Sequence, residues 1–261
     1  MCTPRTGVTS AFIIGDVHTN AMCKKTYSIL KQHALALPPD MRNLIINGDF
    51  LDAQHLMKRG DQYRKWIKRG DGMDEFFIPM SEQEFEWGNE VLDDLQTVFN
   101  DIIFIFGNHD WRYEWFQSQC SPAYAHNFDV IKQLKLNERK IDYVRYNDWL
   151  DWGNKLSITH GMFHGTTCHK KHYEVSGSMN VIFSHVHRFE TKAFAVRGNT
   201  INSTSLPAFC DLNPEYIKNS ENNWSKGYGQ ILMRPDSTFN LYVHQIWNDQ
   251  LTLPDGLILR G

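Results

Sequence analysis

Several short apolar runs in the chain stop abruptly and hand over to polar residues. Residues 102–106, IIFIF, end at Gly107, and Asn108, His109 and Asp110 follow at once. Runs of this length, rich in β-branched and aromatic side chains and bounded by glycine, predict strands of a sheet covered on both faces. The runs in AFIIGDVH and NLIINGDFLD end the same way, the first at Asp16 and His18, the second at Asp49 and Asp52. Between these two, residues 20–37 read as a helix closed by Pro38 and Pro39, so the βαβ order predicts a parallel pair with a right-handed crossover. A second helix is expected over 81–98. Ser81 can serve as its N-cap with Glu84 completing a capping box, and Phe85, Val91, Leu92, Leu95 and Val98 form its apolar face. WRYEWF leads into a short helix, and residues 121–140 read as a helical connection. Two further strands are expected at 143–146 and 155–159, the second ending at His160. Another, at 180–183, ends in Ser184-His185-Val186-His187. From Phe189 onward FETKAFAV, NTINSTS, GYGQILM and FNLYVHQIW alternate, which predicts antiparallel strands joined by polar turns, with a last strand inside 251–261.

Strand after strand thus delivers carboxylate, imidazole or amide groups at its C-terminal end, where open α/β sheets place their ligand sites. On extended backbone, alternation would put Asp16 and His18 on one side, and likewise His185 and His187, a metal-chelating arrangement. Arg112 is near enough in sequence to meet an anionic substrate, although a plain surface arginine is the favoured reading. His164, His169 and His172 lie in a polar, helix-like stretch with Lys170 and Lys171 and read as surface histidines outside the ligand set.

The segment of about 53–100 is long for a connection between neighbouring strands and reads as a helical insertion near the mouth of the site. KRGD occurs twice in it, at 58–61 and 68–71, with Tyr63, Arg64, Lys65 and Trp66 between. Basic residues interleaved with aromatics can meet a phosphate backbone and stack bases. A solvated helical hairpin with Tyr63 and Trp66 packed inward is favoured, because the two aspartates dilute the charge.

Composition narrows the class. The 261 residues can form one domain over 1–261 with a sizeable core. A net charge of −3 and a pI of about 6.4 argue against a protein that coats nucleic acid. Five cysteines, an odd number with no close CxxC pair, point to reduced thiols in a cytoplasmic protein and away from a zinc–thiolate site. MCTPRTGVTS has no secretory-signal pattern, and no apolar run approaches the ~20 residues that cross a bilayer, so no membrane partner is expected.

The ordered blocks GDVH, GDFLD, GNHD, THG and SHVH resemble the calcineurin-like metallophosphoesterase superfamily, whose pattern is D-x-H, GD-x-x-D, GNH-D/E, H, GH-x-H. The match runs from Asp16 to His187 in family order. The resemblance implies an α/β fold, a four-layer αββα sandwich with two mixed β-sheets flanked by helices, and two metal ions at the C-terminal edge of the sheets. One ion would be held by Asp16, His18, Asp49 and His187. The other would be held by Asp49, Asn108, His160 and His185, with Asp49 as the bridge. His109 would serve as proton donor or charge stabiliser, oriented by Asp52. Two departures stand out. Ser184 replaces a usual glycine, and Asp52 is followed by Ala53 rather than the Arg-Gly of Ser/Thr protein phosphatases, which argues against a phosphoprotein substrate.

Carboxylate, imidazole and amide donors without thiolate suit two divalent cations, Mn2+ as first choice, with Fe, Zn, Co or Ni also compatible. Such ions, roughly 3.5–4 Å apart, can activate a bridging hydroxide for in-line attack on phosphorus. The expected activity is hydrolysis of a phosphodiester or phosphomonoester, the substrate including nucleotides. The alternatives are a nuclease that grips DNA or RNA through the basic-aromatic insertion and, with less support, a non-catalytic scaffold of the same fold.

Overall fold

The apolar runs do form strands, and their alternation supplies two cores at once. The computed structural model describes residues 7–57, 65, 67–196, 198–212 and 222–261. Strands β1 (Thr9–Ile14), β2 (Asn43–Asn47), β3 (Asp101–Ile105) and β4 (Asp142–Val144) lie parallel. In register, Phe12 faces Leu44 and Leu44 faces Ile102. Phe12, Ile14, Leu44, Ile46, Ile102 and Phe104 point to one side, into a core shared with the helices. Ala11, Ile13, Ile45 and Ile105 point to the other, against Leu156, Ile158, Ile182 and Leu206 of a second sheet. Both faces are dry, so the runs read as unbroken apolar sequence, and each fully buried Leu or Ile contributes roughly 1.5–3 kcal/mol.

The second sheet contains β5 (Leu150–Trp152), β6 (Leu156–Thr159), β7 (Asn180–Phe183), β8 (Glu190–Val196) and β9 (Asn199–Ser205), in the order β5-β6-β7-β9-β8. The chain then returns to the first sheet as β10 (Gly227–Met233) beside β1 and β11 (Phe239–Gln245) at the edge. A hairpin of β12 (Gln250–Thr252) and β13 (Ile258–Arg260) occupies the 251–261 region. The run after Phe189 is not wholly antiparallel, because β9 pairs parallel with β7 and only β8 returns against it.

Helices α1 (Lys24–Leu35), α2 (Ile78–Val98) and α3 (Asn108–Gln119) cover the outer face of the first sheet, and α4 (Cys168–Val175) packs with Val181 and Phe183 on the second. The result is the expected four-layer α/β sandwich, αββα, with two mixed sheets. Helix boundaries differ from the sequence reading where tertiary bonds intervene. Residues 20–23 do not join α1, because Met22 bridges Cys210 and the Cys23 N–H donates to Phe209. Helix α2 begins at Ile78, so Ser81 and Glu84 lie inside it and form no capping box. Ser81 bonds His55 instead (2.8 Å), and Glu84 turns toward the loop after β2. Helix α3 starts within the GNHD block itself, since the Asp110 carboxylate accepts the Gly107 N–H (2.8 Å).

In the segment of about 53–100, Tyr63, Arg64 and Trp66 lie outside the described residues, as does the first KRGD. In the second, Arg69 pairs with Asp71 on the surface (2.7 Å), an exposed pair of little energetic weight.

Candidate metal centre

The turns that follow the strands are strained in a common way. Asp16, His18, Asp49, His185 and His187 all adopt left-handed backbone, with φ of 53°, 44°, 49°, 70° and 56°. That region is uncommon for side chains other than glycine and costs of order 1–3 kcal/mol at each position, so something must hold it. Cross-bonds between the loops do so. The Asp16 N–H donates to Gly48 (3.1 Å), the His18 N–H to Asp49 (2.9 Å) and the Cys210 N–H to Asp16 (3.1 Å). The His185 N–H reaches both Asp16 carboxylate oxygens at 3.1 Å, and the His109 N–H donates to Asp49 Oδ1 at 2.8 Å. Glycine is required where the loops touch. A Cβ at Gly107 would lie 2.2 Å from Asp49 N and Oδ1, and one at Gly48, with φ +79°, would lie 2.3 Å from His160 Nδ1. Ser184 fills the space over Gly15 and its Oγ accepts from Asn47 (3.0 Å), which settles the serine where glycine is usual.

These turns bring all the residues singled out in the sequence to one place. Ligand atoms of Asp16, His18 and His187 lie within 4.8 Å of one another, as do those of Asp49, His160 and His185, and of His18, Asp49 and His109. His160 Nε2 is 3.2 Å from Asp49 Oδ2 and 3.1 Å from Asn108 Oδ1, and His187 Nε2 is 3.4 Å from Asp16 Oδ1. The route differs from the simple alternation expected of extended backbone. Left-handed turns aim the side chains, and they send His185 and His187 into different clusters.

Asp52 touches two rings: its Oδ1 is 3.1 Å from His18 Nδ1 and 3.3 Å from His109 Nδ1, while Asn20 donates to its Oδ2 (3.1 Å). Among the described residues, His18 Nε2 and His187 Nδ1 are then left buried without a hydrogen-bond partner. His18, held by the Asp52 carboxylate on Nδ1 and bare on Nε2, has the arrangement of a metal ligand with its supporting group, whereas His187 turns its Nε2 to Asp16 within the cluster. The donor set and the bare His18 nitrogen therefore fit divalent cations. Electrostatics point the same way. Burial opposes ionisation of Asp49, but His160, His109 and His18 outweigh it and hold the carboxyl well below its usual range. Burial likewise opposes charge on His160, yet Asp49 and Asp16 raise it to about 9, so a proton takes part of the charge a cation would bring.

The model of the calcineurin-like phosphoesterase family matches residues 10–198. The chain belongs to that family. Calcineurin-like phosphoesterases act on phosphoesters and typically bind a dinuclear metal centre. No curated protein matches the sequence. Among solved structures, the chain is similar to wild-type Vps29 from Entamoeba histolytica complexed with Zn2+, at 12% identity and a TM-score of 0.45, over 97% of each chain. It is similar to Chaetomium thermophilum Vps29 at 10% identity and a TM-score of 0.41, over 90% of this chain and 96% of that one. It is also similar to the NAD nucleotidase of Haemophilus influenzae at 8% identity and a TM-score of 0.37, over 97% and 53% respectively.

This calcineurin-like phosphoesterase carries supporting groups whose part in the site the sequence did not reveal. Asp110 is fully buried and accepts N–H groups of Gly107 (2.8 Å), Leu51 (2.8 Å) and Phe50 (3.3 Å), and burial with the Asp49 charge pushes its carboxyl up to about 7. Glu84 accepts from the Asp52 and Ala53 N–H groups and from the Tyr113 hydroxyl (2.6 Å). Arg112 is no plain surface residue: Nη1 donates to the Asp52 carbonyl (2.9 Å) and Nη2 lies 2.8 Å from His109 Nε2. Its nearness to GNHD was the available signal. His164 is exposed as expected, but His169 and His172 are fully buried, bonded to Ser203 (2.9 Å) and to the Met162 N–H (3.1 Å). Both remain outside the clusters. Among the described residues, no helix is long and apolar enough to cross a membrane.

Proposed function

We propose that this protein is a metal-dependent hydrolase of phosphodiesters or phosphomonoesters that works with two divalent cations, Mn2+ as first choice, shared across Asp49. The observation that carries this reading is the position of Asp49, whose carboxylate reaches both His18 and the His160–His185 pair. In the proposed allotment Asp16, His18 and His187 complete one ion, and Asn108, His160 and His185 the other. When bound, the pair of ions supplies an activated water and positive charge opposite the phosphoryl oxygens.

The rest falls to the chain's own side chains. His109 donates its Nδ1–H to the Asp52 carbonyl (2.7 Å), and its Nε2 accepts from Arg112 Nη2 (2.8 Å), so Nε2 becomes available to substrate once that guanidinium moves aside. A proton held at that Nε2 can pass to the departing oxygen, a contribution of about 10²–10⁴-fold. Arg112, now against His109 Nε2, can swing to a phosphoryl oxygen as a bidentate donor when substrate enters. Asn108, His109 and His185 are half-buried whereas the other donors are buried, so substrate approaches across these three. The whole chain acts as one unit in this proposal, with Glu84 of the 53–100 segment supporting the Asp52 loop. The free thiols of Cys23, Cys120, Cys168 and Cys210 support a cytoplasmic setting.

A scaffold without chemistry has no need of a complete donor set around a bridging carboxylate, so the enzyme reading is favoured. Purified protein should hydrolyse bis(4-nitrophenyl) phosphate or 4-nitrophenyl phosphate with added Mn2+, lose the activity to a chelator and regain it with metal. Absence of turnover on both esters with Mn2+, Fe2+, Zn2+, Co2+ and Ni2+ would overturn the proposal.

A further inference from the structure

Two neighbouring cavities are lined in part by residues that touch the metal clusters. The larger, about 550 Å³, is lined by Asn20, Lys24 and Lys25 together with Asp211. The smaller, about 200 Å³, is lined by Trp224 and Trp247, and Lys226 and Asp249 line both. The paired cavities, together a trough, are tied to the centre through Asn20, which donates to the Asp52 carboxylate that contacts His18 and His109.

Trp224 is fixed there. Its ring centroid is 4.1 Å from that of His187, and the next residue, Ser225, donates its N–H to the His187 carbonyl (2.9 Å) and accepts from the Phe189 N–H (2.8 Å). Trp247 sits on a turn closed by reciprocal bonds with Gln250 (3.1 and 3.0 Å) and is 70% exposed. Among the described residues it is the most exposed of the large hydrophobic side chains, and it has no ring contact there, so both faces of the indole are open to a ligand. The polar lining carries three ammonium groups against the carboxylates of Asp211 and Asp249, and Asp249 already pairs with Lys25 (2.6 Å) and Lys226 (3.8 Å). Indoles flanked by ammonium groups next to a phosphoester centre match one ligand chemistry, a flat heteroaromatic base joined to phosphate.

We propose that this trough is a nucleobase subsite, in which Trp224 stacks the base next to the scissile phosphate and Trp247 closes over its outer face. The substrate class is then the nucleoside phosphoester. The inference rests on the hydrolase reading above and adds no co-reactant: water oxygen joins phosphorus, the ester P–O bond breaks, and the departing oxygen takes a proton.

A binding test and a kinetic test separate the two claims. Adenosine, which has no phosphoester, is titrated into metal-loaded protein while the indole N–H signals are followed by NMR, assigned with Trp224→Phe and Trp247→Ala. Both signals should move with adenosine and stay still with ribose or inorganic phosphate. Kinetics compare thymidine 5′-(4-nitrophenyl phosphate) with methyl 4-nitrophenyl phosphate, which lose the same leaving group. Trp224→Ala and Trp247→Ala should each lower the nucleoside-to-methyl ratio of kcat/KM roughly tenfold, with Trp224→Phe restoring most of it. A phosphorothioate-linked hexathymidylate that moves the same signals at lower concentration than thymidine monophosphate assigns the base to a strand end; the reverse order assigns it to a free nucleotide. Turnover of both esters with still indole signals and an unchanged ratio overturns the subsite and leaves the hydrolase standing. Moving signals without turnover of either ester supports the subsite and overturns the hydrolase.

Discussion

His109 and Gly107 show how much a single position decides in the GNHD turn. In the proposed mechanism His109 offers Nε2 to the substrate, while Asp49 belongs to the ions and Asp52 orients the ring. His109→Ala should therefore retain metal content and slow turnover about 10²–10⁴-fold, most for esters with poor leaving groups. Equal slowing of good and poor leaving groups would remove the proton-donor role. Gly107 has the opposite character: it touches no substrate, yet a Cβ there would lie 2.2 Å from Asp49 N and Oδ1. Gly107→Ala should displace that carboxylate, cost about 1–3 kcal/mol of stability through overpacking and lower metal content, measured by elemental analysis after dialysis. Undiminished metal content would show that Asp49 tolerates the shift. At this scale the donor types were legible in the sequence, because each follows an apolar run that breaks off. The supports were not: Asp110, Glu84 and Arg112 act through backbone groups of loops that meet only after folding.

Helix α2 illustrates the same point for elements. Its apolar stripe marked it as a helix, but the Ser81–Glu84 pair looked like a cap because capping boxes and buried polar contacts use the same residue types. Only the approach of the β2 loop tells them apart. Glu84→Gln can keep Oε1 on the Asp52 and Ala53 N–H groups but loses Oε2, the acceptor of the Tyr113 hydroxyl, and the negative charge that strengthens all three bonds. The variant should lose about 1–3 kcal/mol of stability in denaturant melts and slow turnover through Asp52 while keeping its metal. A wild-type rate would confine Glu84 to a structural role. The strand runs were legible for a simpler reason: two covering layers make period-two sequence uniformly apolar. The parallel β7–β9 pairing was hidden because β8 lies between those strands in sequence but outside them in the sheet.

Across the molecule, folding also buries neutral imidazoles remote from the centre. His33 bonds the Tyr228 hydroxyl (2.9 Å), His244 faces Gln230 (3.2 Å), and their rings are 4.9 Å apart. Burial pushes both down to about 4. The unfolded chain takes up these protons near pH 6.5 and the folded chain only near 4, so this stability is present above 6.5 and lost as pH falls between the two. By pH 5.5 each histidine should cost about 1.4 kcal/mol. Metal-free protein should show this loss between pH 7.5 and 5.5 together with that of His55 and His172, which burial lowers likewise, and His244→Gln should remove about 1.4 kcal/mol of the total; an identical slope in the variant would locate the acid sensitivity elsewhere.

The proposed joint product of these layers is a pair of cation sites divided by the Asp49 carboxylate, and diffraction from a crystal grown with Mn2+, recorded at the manganese absorption edge, tests it directly. The expected anomalous map shows two peaks roughly 3.5–4 Å apart with Asp49 between them, one beside Asp16, His18 and His187 and the other beside Asn108, His160 and His185. One peak alone, or peaks away from these side chains, would contradict the two-ion centre.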